Sequence, residues 1–125
     1  MNVLIIDNSI EVSNRLKSLL LENTNSTTVL VANDIMDAYK IIHVSNPDII
    51  LLDIDLQKNF LSFFLSEINK YNSKIILIAL SIRCKNQQFN LDSLPGIHYL
   101  FDKYYDFEKL PGVIDSIAAL KKKVA

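Results

Sequence analysis

Apolar residues in this chain fall into short unbroken runs, separated by stretches in which they recur every three or four positions. The runs are Val3 to Ile6, Thr28 to Ala32, Ile49 to Leu52, Ile75 to Leu80 and Tyr99 to Phe101. None alternates apolar with polar, so each reads as a strand buried on both faces of a sheet. Between them, Val12, Leu16, Leu19 and Leu20 lie on one face of a helix. Leu61, Phe64, Leu65 and Ile68 do the same, as do Leu110, Val113, Ile114 and Ile117, with a weaker stripe from Ile35, Ala38 and Ile42. Ser9 and Asp34 stand where N-caps are expected, and Pro111 suits the first turn of the last helix, because a proline deep inside would cost about 3 kcal/mol. A further helix is expected between Arg83 and Pro95, where only Phe89, Leu91 and Leu94 suggest a buried side.

Strand and helix alternating five times predict an α/β fold, a parallel sheet with helices on both faces. Right-handed crossovers leave two common arrangements, the flavodoxin-like strand order 2-1-3-4-5 and Rossmann-like orders. Either one binds its ligands at the carboxyl ends of the strands, near the point where the order reverses. The residues that follow the runs are therefore the candidates for chemistry. They are Asp7 and Asn8; Asp53, Ile54 and Asp55; Ser81, Ile82 and Arg83; and Asp102 with Lys103. If the first, third, fourth and fifth strands are neighbours, these groups converge on one patch of carboxylates, a hydroxyl and a lysine. Crowded carboxylates raise one another's pKa unless a cation joins them, and a hard divalent ion with oxygen ligands suits such a set.

The bulk properties narrow the function further. The chain of 125 residues is 50% apolar and 22% charged, which predicts one folded domain spanning residues 1–125. No apolar run is long enough to span a membrane, and no basic segment precedes the first run as in a secretory signal. A lone Cys84 excludes an intrachain disulfide and points to the cytoplasm. A net charge of −1 gives no general attraction to nucleic acid. The basic block Lys121-Lys122-Lys123 reads as cations favouring a helix C-terminus. With Gly96 and Gly112 the only glycines, there is no Gly-rich phosphate loop for a nucleotide.

Four segments together resemble the receiver domain of bacterial response regulators, from one end of the chain to the other. Val3-Leu4-Ile5-Ile6-Asp7-Asn8-Ser9 resembles the opening strand closed by an acidic pair. Asn46-Pro47-Asp48-Ile49-Ile50-Leu51-Leu52-Asp53 resembles the segment that leads to the phosphoacceptor. Ile78-Ala79-Leu80-Ser81 resembles the strand ending in the switch Ser or Thr, and Gly96 through Tyr99-Leu100-Phe101-Asp102-Lys103 the strand ending in the family lysine. The resemblance implies the flavodoxin-like (βα)5 fold with strand order 2-1-3-4-5. It implies that Asp53 accepts a phosphoryl group from a histidine kinase or phosphotransfer protein. Mg2+ (or Mn2+) would be held by Asp7, Asp53 and the backbone carbonyl of Asp55. Lys103 would pair with the phosphoryl oxygens, and Ser81 would turn inward to them. That motion, with Leu100 at the family's aromatic switch position, would reshape the face made by the fourth helix, fifth strand and fifth helix. Catalysis would be limited to self-phosphorylation and autodephosphorylation.

The chain departs from that family at several places. Asn8 replaces the second acid of the pair, a lost charge worth up to roughly 4 kcal/mol at ~4 Å and an effective dielectric of 20. The Asp55 side chain is a candidate to restore the carboxylate count to three, or to pair with Arg83 across the pocket rim. Gln57 and Tyr104 stand where proline is common, and Ile82, at the rim, where a small residue is common. His43 and His98 are expected to be structural, as is Cys84, while Tyr104 and Tyr105 are expected at the surface. Core packing is expected to take most of Phe60, Phe63 and Phe64.

The leading expectation is a stand-alone receiver, or a piece of a longer regulator, acting through a downstream target protein. Homodimerisation through the output face is left open. The first alternative is a degenerate receiver that binds protein without phosphorylation, favoured by Asn8 and the altered loops. The second is a flavodoxin-like small-ligand or flavin protein, disfavoured by the acidic first turn.

Overall fold

A computed structural model describes residues 1–24, 27–55, 58–82 and 96–124. The described strands are β1 (Asn2–Ile6), β2 (Thr28–Ala32), β3 (Ile49–Asp53), β4 (Ile76–Ser81) and β5 (Tyr99–Asp102). The helices are α1 (Ile10–Asn23), α2 (Ile35–Ser45), α3 (Lys58–Tyr71) and α4 (Leu110–Val124), the last entered through a 3-10 turn at Phe107–Lys109. The helix expected between Arg83 and Pro95 lies outside the described residues, as do Cys84 and Gln57. All five strands are parallel in the order β2-β1-β3-β4-β5, the flavodoxin-like arrangement. The Rossmann-like orders are thereby excluded.

Local signals set the helix ends. Ser9 Oγ accepts from Val12 N at 3.3 Å and Asp34 Oδ1 from Asp37 N at 2.7 Å, each satisfying a donor that helix geometry leaves open. Asn46 closes α2 in the left-handed region at φ 51°, which Asn tolerates better than most residues. Pro111 sits in the first turn of α4, where its missing N–H costs nothing.

The helical stripes divide the core in two. On one face of the sheet, Ile35, Ala38 and Ile42 of α2 and Leu61, Phe64, Leu65 and Ile68 of α3 pack against Leu4, Ile6, Ile50 and Leu52. On the other, Leu16 and Leu20 of α1 and Leu110, Ile114 and Ile117 of α4 cover Val3, Ile5, Ile49 and Leu51. β1, β3 and β4 are buried on both faces, so they cannot slide or twist without breaking both cores. β2 and β5 correct the sequence reading. They are the sheet edges, with Leu30 and Tyr99 each 38% exposed. Phe60 and Phe63 are a second correction, both pointing to solvent while only Phe64 enters the core.

The amino ends of the strands are closed by polar groups that extend the ladder. Asp48 N donates to Asn2 O at 2.8 Å, Asp48 Oδ2 accepts from Asn2 N at 2.8 Å, and Ile76 N donates to Asp48 O at 3.0 Å. His98 does similar work for β4: its N–H donates to Leu77 O at 2.9 Å and its Nδ1 accepts from Leu77 N at 3.1 Å. Lys121 reaches across from α4 to the carbonyls of Lys74 and Asp48 at 3.2 and 3.4 Å, a tie that the macrodipole reading of the basic block did not include. Hydrogen bonds close this end of the sheet, and the candidate site residues gather at the other.

Candidate functional site

Four strands deliver charged or hydroxyl groups to the carboxyl end of the sheet. Because β1 lies between β2 and β3, Asp7 leaves the sheet beside Asp53, held by its N–H to Ala32 O at 3.1 Å. Ser81 ends β4 in register with Asp102 of β5, and Lys103 N donates to Ser81 O at 3.1 Å. The strand order thus brings Asp7, Asp53, Ser81 and Lys103 to one patch. All four are buried: Asp7 is 1% exposed, Asp53 5%, Ser81 0% and Lys103 7%.

Such burial demands pairing, since an isolated ion in the interior is far too costly to retain. The Lys103 ammonium supplies it, lying 2.8 Å from Asp7 Oδ2 and 3.0 Å from Asp53 Oδ2. The other oxygens are held by backbone: Asp7 Oδ1 accepts from Ser9 N at 2.8 Å and Asp53 Oδ1 from Asp55 N at 2.9 Å. Burial pushes the Asp53 carboxyl above its ordinary pKa, and the neighbouring Asp7 charge adds to that. The Lys103 ammonium and the Asp55 N–H work against the rise. For Lys103, burial favours the neutral amine, but its two carboxylate partners outweigh it and the pKa is raised. The lysine is therefore fully charged where it sits.

Asp7 Oδ2 meets only the ammonium, at 2.8 Å, and no backbone or hydroxyl donor joins it there among the described residues. An acceptor facing this pocket with a free lone pair suits a hard cation with oxygen ligands. The set available to such an ion is two carboxylates, Asp7 and Asp53, with backbone carbonyl and the neutral oxygen of the exposed Asn8. The third carboxylate expected from Asp55 is not assembled with them. Asp55 Oδ2 instead accepts from Ser81 Oγ at 3.3 Å and from Ile82 N at 3.4 Å. Among the described residues no three His, Cys, Asp or Glu side chains are grouped to hold a metal. A divalent ion fits this pocket, with one charge fewer to hold it.

Asp102 is 2% exposed, and its Oδ1 accepts from Tyr104 N at 2.9 Å and Tyr105 N at 2.8 Å, which shapes the turn that follows β5. Of the rest of the predicted set, Leu100 is half-buried on β5 and packs against the core on the α2–α3 side, and Ile82 follows β4 and is 50% exposed. Arg83, and with it the suggested Asp55–Arg83 pair, falls outside the described residues. Tyr104 and Tyr105 are exposed beside a groove between α1 and the β5–α4 turn, where the Arg15 guanidinium stands 5.1 Å over the Phe107 ring. Sequence reasoning missed that groove, because it is made by residues about 90 positions apart.

The sequence matches the model of the response regulator receiver domain over residues 3–115. No curated protein sequence matches the chain. Among solved structures, the chain is similar to a response regulator receiver domain protein from Clostridium thermocellum, at 21% identity, 99% coverage of this chain, 98% of that one and a TM-score of 0.80. It is similar to a two-component response regulator from Clostridium difficile, at 21% identity, 95% and 96% coverage and a TM-score of 0.81. An atypical orphan response regulator, for which a phosphorylation-independent regulatory mechanism is described, shares 20% identity over 94% of each chain with a TM-score of 0.75. At these identities the structural likeness speaks for the fold alone.

Proposed function

Since the chain belongs to the response regulator receiver domain family, we propose that it is a phosphoacceptor of a two-component or phosphorelay system, with Asp53 as the residue that takes the phosphoryl group. The observation that carries this reading is the buried Asp7–Lys103–Asp53 bridge at 2.8 and 3.0 Å. A buried pair of carboxylates on one lysine is an expensive way to cap two strands, and hydrophobic residues would commonly serve stability as well. It is a fitting way to hold a nucleophile.

In this reading an Asp53 carboxylate oxygen attacks the phosphorus of a phosphohistidine on a histidine kinase or phosphotransfer protein. The O–P bond forms as the P–N bond breaks, and the imidazole leaves with the electron pair and takes up a proton. Attack needs the carboxylate form, which Lys103 and the Asp55 N–H favour against the burial that opposes it. Lys103 then follows the charge from carboxylate to phosphoryl oxygens without leaving the pocket. Mg2+ (or Mn2+), held by Asp7, Asp53 and the Asp55 carbonyl with Asn8 offering a neutral oxygen, would supply charge neutralisation between nucleophile and phosphoryl group. Ser81 would donate its hydroxyl to the phosphoryl group, and with Leu100 pass the change to β5 and the helices beside it, where a target protein is engaged. The chain would act in the cytoplasm. No helix among the described residues is long and apolar enough to cross a membrane.

The test is the intact mass of the protein after incubation with Mg2+ and acetyl phosphate, beside Asp53→Ala. A single phosphoryl adduct that requires both Mg2+ and Asp53 is expected. No adduct from acetyl phosphate or from a phosphorylated phosphotransfer protein would favour the second reading, a module that binds its partner without phosphorylation. That reading is favoured by Asn8, which leaves the pocket one carboxylate short.

A further inference from the structure

Asp55 joins two strand ends at once. Its N–H donates to Asp53 Oδ1 at 2.9 Å, while a single side-chain oxygen, Oδ2, accepts from both Ser81 Oγ at 3.3 Å and Ile82 N at 3.4 Å. A serine hydroxyl and a backbone N–H each have one hydrogen to give. The hydroxyl that would serve a phosphoryl oxygen on Asp53 is thus already engaged by an anion, together with the next donor along the chain. We propose that Asp55 is an internal stand-in for the phosphoryl group: its carboxylate holds the end of β4 in the unphosphorylated chain, and a phosphoryl group on Asp53 must displace it to reach Ser81. The inference rests on the phosphoacceptor reading and adds to it a built-in competitor that sets the threshold for switching.

The charges point the same way. A phosphoryl group puts about two negative charges and three acceptor oxygens in place of the single carboxylate charge of the residue whose own Oδ1 binds the Asp55 amide. Two anions cannot share one hydroxyl hydrogen, and their repulsion drives the Asp55 carboxylate out of the pocket as the adduct forms. Asp55 is half-buried rather than enclosed. It is a positioning residue acting through Ser81 and Ile82.

The test combines hydrogen exchange with phosphorylation in wild type, Asp55→Ala and Asp55→Asn, all keeping the backbone groups at position 55. Without phosphodonor, Asp55→Ala is expected to speed exchange of the Ile82 amide about fivefold while Ile78 in the middle of β4 is unchanged. Asp55→Asn, whose amide oxygen still accepts, is expected to retain most of the protection. Under fixed Mg2+ and acetyl phosphate, adduct occupancy is expected to rise at least twofold in both variants. Unchanged Ile82 exchange in Asp55→Ala would overturn the stand-in. So would equal or lower occupancy in the variants, which would instead make the Asp55 carboxylate an aid to metal binding. Absence of adduct in all three proteins, from acetyl phosphate and from a phosphorylated phosphotransfer protein alike, would refute the phosphoacceptor reading, and the Ile82 exchange would still decide whether Asp55 holds the end of β4.

Discussion

At the amino ends of the strands, Asp48 directs its amide, its carbonyl and its carboxylate to neighbouring backbone, and Lys121 lies across it on carbonyl oxygens. At the carboxyl ends, Asp53 and Asp7 face each other across Lys103, and the ammonium is the main counterweight to both. Both ends carry an aspartate and a lysine from distant segments. One end is a closed hydrogen-bond ladder in which charge is incidental. The other is a balance of charges in which one acceptor, Asp7 Oδ2, is met by the ammonium alone. The first arrangement ties strand ends together, and the second holds two buried carboxylates on one ammonium at some cost to stability.

Substitutions at the two ends should separate these roles. The largest effect is expected from Lys103→Met, which leaves Asp7 and Asp53 buried together with no cation. Urea unfolding should show a loss of about 3 kcal/mol near neutral pH. The loss should shrink as pH falls, because protonation of Asp53, whose carboxyl burial already holds above its ordinary pKa, relieves the pair, and Mg2+ should restore part of it. Asp48→Ala should cost about 1.5 kcal/mol by thermal or urea unfolding, because the Asn2 amide loses its charged acceptor, and Mg2+ should not rescue it.

Asp53→Asn is expected to have the opposite sign. The folded-state pKa of Asp53 lies above its ordinary value, chiefly from burial, so the folded chain holds more protons than the unfolded chain between the two values. Stability therefore falls as pH rises through that window, and removing the ionisation should stabilise the protein by about 1 kcal/mol at neutral pH. The gain should fade as pH drops below the ordinary carboxylate value. Lys121→Met should be the mildest change, under about 1 kcal/mol, since its ion pair with Asp48 spans 3.9 Å and is partly exposed.

The stripes in α1, α3 and α4 were readable because helix spacing and burial are both local, and Leu61, Phe64, Leu65 and Ile68 are all buried as the spacing requires. The edge strands were not readable from their own residues, because Thr28–Ala32 and Tyr99–Asp102 are composed like central strands, and only the strand order implied by the family resemblance marks them as edges. The patch of Asp7, Asp53, Ser81 and Lys103 could be placed in advance, since parallel topology carries the ends of neighbouring strands together. What the side chains do there could not. Asp102 sits at a strand end exactly as Asp7 does, yet it caps a turn, because two amides following it lie within reach. Asp55 bonds to a serine 26 positions away, and no local pattern records that contact.

The most direct measurement is to locate the phosphoryl group. The protein would be treated with Mg2+ and acetyl phosphate, reduced with borohydride to convert an acyl phosphate to the corresponding alcohol, and digested for peptide mass analysis. The account predicts the conversion at Asp53 and at no other carboxylate, with none in the absence of Mg2+. Conversion at Asp7 or Asp55, or none anywhere when a phosphorylated phosphotransfer protein is also supplied, would contradict it.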